Sequence, residues 1–111
     1  MSKYTSVDWI AVVDTDELKK ANISKEEFAG KHECVVFFTE GEPYMEVYSK
    51  DCISQSFVDS FSNSISNFYD VQLVDERIMG IYVSLPYMEV SSFQDVAISI
   101  ACDLVEFNKG F

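Results

Sequence analysis

Residues 33–49 read ECVVFFTEGEPYMEVYS, and the parsing of this stretch decides the fold. It opens with a strongly apolar run of strand length, from Glu33 to Thr39. Glu40-Gly41-Glu42-Pro43 has turn composition, and Tyr44-Met45-Glu46-Val47-Tyr48 resumes with β character, so the stretch predicts a hairpin. Beyond it the period changes. Ile53, Phe57, Phe61, Ile65 and Phe68 recur at helical spacing with Ser and Asn between them, which predicts an amphipathic helix over residues 51–68. Serine is an indifferent helix former, so packing has to hold this helix.

The same reading extends in both directions. Upstream, residues 7–13 read as a first strand. Asp14 with Glu17 then has capping-box spacing, and so does Ser24 with Glu27, where Ile23 and Phe28 add a hydrophobic staple. Two short helices with a break near Asn22 follow, the second closed by Gly30 in a left-handed conformation. Downstream, residues 71–74 and 78–85 are strand candidates joined by the turn Asp75-Glu76-Arg77. Gly80 marks a bulge or a close approach. Ser91 with Gln94, or Ser92 with Asp95, opens a last helix with the stripe Phe93, Val96, Ala97, Ile100, Ala101, Leu104 and Phe107, widened by Ile98, Cys102 and Val105 as for a helix covered on more than one side. The predicted order is β-α-β-β-α-β-β-α. The fold class is α+β, with an antiparallel or mixed sheet of about five strands and two main helices on one face. Residues 1–111 form a single domain with no linker.

The pentapeptide PYMEV occurs at 43–47 and again at 86–90, and takes up both prolines of the chain. With residue 33 set against residue 76, apolar strands overlay and an amphipathic helix follows each copy. A duplicated strand-turn-helix unit over 33–68 and 76–107 is one reading, and chance convergence is the other.

Charge excludes more than it assigns. Nineteen acidic residues face eight basic ones, for a net charge of -11. Direct binding to nucleic acid or to an anionic membrane calls for the opposite sign. A basic protein partner is favoured, because complementary charge accelerates encounter. Cys34, Cys52 and Cys102 form no CxxC pair, and the chain has a single histidine, so neither a zinc site nor any cofactor is expected. Apolar neighbours predict buried, reduced thiols, and the polar start of the chain shows no secretory pattern, so a cytoplasmic protein is expected.

Catalytic machinery is sparse. His32 and Cys34 could share a strand face, and Glu46 and Glu89 could act as an acid–base pair, but no phosphate loop, HExxH or GxSxG is present. The chain is therefore not expected to be an enzyme. Binding is better supported. Tyrosines ringed by acids offer amphipathic anchors to a partner rich in Arg and Lys. The expected contact set is Glu40, Glu42, Tyr44, Glu46, Tyr48, Asp51, Tyr87 and Glu89, with the cluster from Glu40 to Asp51 preferred. Toxin-immunity and phage anti-defence proteins, which cover the basic cleft of a nuclease or other nucleic-acid-binding protein, share this size and charge. That is an analogy of physical type. The alternatives are a structural module that forms a homodimer through a sheet edge or the last helix, and a sensor with a small-ligand pocket.

Overall fold

Strands with apolar residues on both faces need cover on both, and the two strands at the heart of this fold have it. The computed structural model describes residues 5–7, 10–65, 67–84 and 92–110. In chain order the elements are β1 (Thr5–Val7), β2 (Ile10–Asp14), α1 (Thr15–Lys20), α2 (Lys25–Ala29), β3 (Cys34–Phe38), β4 (Tyr44–Ser49), α3 (Gln55–Ser64), β5 (Tyr69–Asp75), β6 (Ile78–Val83) and α4 (Phe93–Gly110). One mixed sheet holds all six strands in the order β1-β2-β3-β4-β6-β5. Every residue of β2 and β3 is buried. These two strands run parallel, Ile10 opposite Cys34 through Asp14 opposite Phe38, and every other pairing is antiparallel.

A parallel pair needs a crossover, and α1 and α2 supply it. Asp14 caps α1, its carboxylate accepting from the Asp16 N–H at 2.9 Å. Asn22 then takes φ 61°, a left-handed value that asparagine tolerates. The N–H of Ile23 reaches the Leu18 carbonyl (2.9 Å) and that of Asn22 the Lys19 carbonyl (3.1 Å), which ends α1 in a Schellman motif. Ser24 caps α2 through the Glu27 N–H. The break expected near Asn22 is therefore present. Gly30, by contrast, is right-handed (φ -63°), because its N–H stays bonded to the Glu26 carbonyl.

The two faces carry separate cores. On one, Ile10, Val12, Val36, Met45, Met79 and Ile81 meet α3 and α4, as the expected pair of main helices on one face requires. Phe61 is wholly buried there, with Phe107 of α4 at 5.5 Å between ring centroids. On the other face Ala11, Val13, Val35 and Phe37 pack under Leu18 and Phe28 of the crossover.

Several expected boundaries move, each for a local reason. Residues 7–13 are not one strand: β1 ends at Val7 and β2 starts at Ile10, and the two pair antiparallel. The helix over 51–68 contracts to Gln55–Ser64. The Ile53 N–H is held by the Glu76 carbonyl at 2.7 Å, and Ser54 caps the helix through the Phe57 N–H at 3.1 Å. Ile65 is extended and closes it. Ser92, one of the two caps expected for the last helix, accepts from the Asp95 N–H at 3.1 Å. Only Cys34 is a buried thiol; Cys52 and Cys102 are exposed, the latter because it lies on the outer side of α4. The second PYMEV copy lies outside the described residues. No helix among the described residues is long and apolar enough to cross a membrane.

Phe61→Ala should lower unfolding stability by about 3–5 kcal/mol, the range for removing a buried ring. Ser24→Ala should cost about 1 kcal/mol for the lost cap. Urea denaturation measures both; similar small losses would mean that Phe61 does not join α3 to α4 and the sheet.

Candidate protein-binding face

Alternation along β4 sends Met45 and Val47 into the larger core and turns Tyr44, Glu46 and Tyr48 to the opposite face. Cross-strand pairing extends that face over β6 and the edge strand β5. One row is Tyr44, Tyr82 and Asp70; the next is Glu46, Gly80 and Gln72. Tyr48 pairs with Ile78, which in turn faces Asp75. The crossover helices cover β2 and β3 and stop at Tyr48, so among the described residues no helix lies over the rest. Tyr82 is 50% exposed and Val74 55%.

Glu46 sits at the border between the covered and open halves. Lys25, the first residue of α2, places its Nζ 2.8 Å from Glu46 Oε1. The same ammonium lies 5.9 Å above the Phe37 ring. The Tyr44 hydroxyl donates to Glu46 Oε2 at 3.1 Å. Both carboxylate oxygens are thus engaged within the molecule, and Glu46 orients Tyr44 more than it offers charge outward. Tyr44 in turn stands against Tyr82, ring centroids 4.6 Å apart and tilted 44°. Phe37 links the border to the covered half, edge-on to Tyr48 at 4.9 Å and to Phe28 at 6.1 Å.

Gly80 is the seat of this arrangement. A Cβ there would fall 2.6 Å from Tyr44 Oη and 2.8 Å from Val74 Cγ2. Only a glycine lets both side chains lean over the strand. The close approach expected at this position is therefore made by side chains, and the bulge lies on the neighbouring strand, between Leu73 and Asp75.

The structure distributes the expected contact residues unevenly. Glu40 and Glu42 are exposed in the β3–β4 turn, next to the row of Tyr44, Tyr82 and Asp70. Glu46 and Tyr48 continue the same face. Asp51 follows the far end of β4, a strand's length of about 17 Å from the Tyr44 end, and lines a cleft on the opposite side of the sheet. Tyr87 and Glu89 lie outside the described residues, as does any pairing of Glu89 with Glu46. Sequence reading did not place Asp70, Val74 or Lys25 in the site. Their contacts are cross-strand or come from a helix 21 positions away, and no local spacing reports them.

The candidate His32–Cys34 pair is not assembled, since Cys34 is buried in the larger core and His32 packs on Phe28. Burial pushes the Cys34 thiol up to about 12, leaving it protonated. His32 stacks on Phe28 at 4.4 Å, with Nδ1 3.0 Å from the Phe28 carbonyl oxygen.

Burial, then the Glu46 charge, raises the Tyr44 phenol to about 12, and Tyr48 rises to about 12 for the same leading reasons. A raised phenol favours the folded state below the unfolded value of 10, and that contribution is lost as pH climbs from 10 toward 12. Absorbance titration at alkaline pH should show Tyr44 and Tyr48 ionising late. Glu46→Gln should bring both part of the way down, since burial persists; unchanged titration would remove Glu46 from the site's electrostatics.

Comparison with known protein families and with curated protein sequences finds no match for this chain.

Proposed function

We propose that this protein is an acidic binding module, not an enzyme, that inhibits a basic protein by covering its surface with the open half of the sheet. The observation that carries this reading is the paired Tyr44 and Tyr82 rings, set on a face that no helix covers among the described residues and flanked by exposed Asp70, Glu40 and Glu42. Half-buried tyrosines lose little side-chain entropy on docking and bury large area, and acids around them select Arg- and Lys-rich surfaces. The net charge of -11 steers such a partner from a distance. A nuclease or other nucleic-acid-acting protein presents that surface, because its cleft is built to hold phosphates. Toxin immunity and phage anti-defence are the biological settings in which such an inhibitor works, and both place it in the cytoplasm.

Affinity capture from the host cell, repeated with variants, tests the reading. The partner should bind the parent chain and be released as salt rises from low to physiological. Tyr82→Ala should weaken binding at least about tenfold, as interface aromatics do. Asp70→Lys should weaken it further and flatten the salt dependence, while Glu106→Lys on α4 should change little. Salt-insensitive self-association, or equal losses from Asp70→Lys and Glu106→Lys, would overturn it.

A further inference from the structure

On the opposite side of the sheet from the tyrosines, α3 begins and α4 ends without closing over the strands between them. α3 packs toward β5, whereas α4 lies across β1, β2 and β3. The gap at their ends is a cleft of about 460 Å³, within the size range of small-molecule sites. Its inner wall is apolar: Val47 and Met79 from the sheet, Phe57 from α3 and Leu104 from α4. Its rim carries two charged residues, Glu33 and Asp51, and both are acidic. Ser49, Ser54 and Asn108 add neutral polar groups.

An apolar pocket with a purely acidic rim suits one chemistry, an apolar body ending in a cation. The rim already holds such a group. Lys50, outside the lining, places its ammonium 3.5 Å from Glu33 Oε1, with both side chains largely exposed. Asp51 makes no ion pair among the described residues, its backbone N–H donating to Ser49 Oγ at 3.3 Å. We infer that this cleft binds a small amphiphilic amine, its hydrocarbon against Val47, Met79, Phe57 and Leu104 and its ammonium between Glu33 and Asp51. Lys50 is then an internal competitor for the rim. The site shares no residue with the tyrosine face, so it stands or falls independently of the protein-binding reading.

The n-octylammonium ion is a suitable probe, titrated calorimetrically against octanoate and methylammonium. It should saturate a single site and slow alkylation of Cys52, which lines the cleft and is exposed. Octanoate should bind far more weakly for want of a positive end, and methylammonium for want of a chain. Replacing Glu33→Gln together with Asp51→Asn should lower octylammonium affinity about five- to tenfold, in line with exposed ion pairs. Lys50→Gln should raise it. Glu26→Gln with Glu27→Gln, which removes as much charge elsewhere, should leave it unchanged. Equal binding of octanoate, equal losses from the two double variants, or no saturable binding would overturn the inference.

Discussion

The brevity of the β2–β3 crossover governs the rest of this structure. A parallel pair forces the chain to return across one face of the sheet. Here it returns as two helices of six and five residues. At 1.5 Å per residue each is under about 10 Å long, and a helix about 10 Å wide spans roughly two strands. Cover on that face therefore ends at β3, where Phe28 and Leu18 seal Phe37 and Val13. The 18-residue α4, about 27 Å long, and the 10-residue α3 share the opposite face, which becomes the larger core. One sheet thus has one face carrying the two main helices and one half-covered face.

What stands on the unbuilt half follows from that imbalance. Exposed strand positions are normally polar, and Asp70 and Gln72 conform. Tyr44, Tyr82 and Val74 do not, and a glycine beneath them lets Tyr44 and Val74 lie close to the sheet. Lys25 ties the end of the crossover to this half through Glu46, so the edge of the covered region and the orientation of Tyr44 share one carboxylate. The edge strand β5 is blunted by its bulge and by Asp70 and Asp75, the means by which natural sheets resist pairing edge to edge. That favours docking by the face over strand addition at the edge. In the proposed reading, the acidity of the chain sets the sign of the docking partner.

Much of this was legible before any coordinate. The unbroken apolar run of β3, the serine cap at Ser24, the turn before Pro43 and the long stripe of α4 are local signals, and local signals fix element type well. The α+β class and the placing of two main helices on one face followed from them. Other features are matters of tertiary contact. Ile53 leaves the helical pattern because a carbonyl from the β5–β6 turn captures its N–H. Cys102 continues an apolar stripe in sequence yet is exposed, because among the described residues nothing packs over that side of α4. Tyr44 and Tyr48 could be named as anchors from composition, but their partners, Tyr82, Lys25 and Gly80, are joined to them only by register and by the crossover. Asp51 was grouped with Tyr44 by proximity in sequence, and a strand's length separates them.

In the proposed reading, the half-face of β4, β6 and β5 is the surface that meets a basic protein. Zero-length carboxylate–amine cross-linking of the captured complex, mapped by mass spectrometry, tests it most directly. Cross-links should run from partner lysines to Asp70, Asp75, Glu40 and Glu42, and none to Asp103 or Glu106 on α4. Cross-links concentrated on α4 and absent from Asp70 and Glu42 would contradict it.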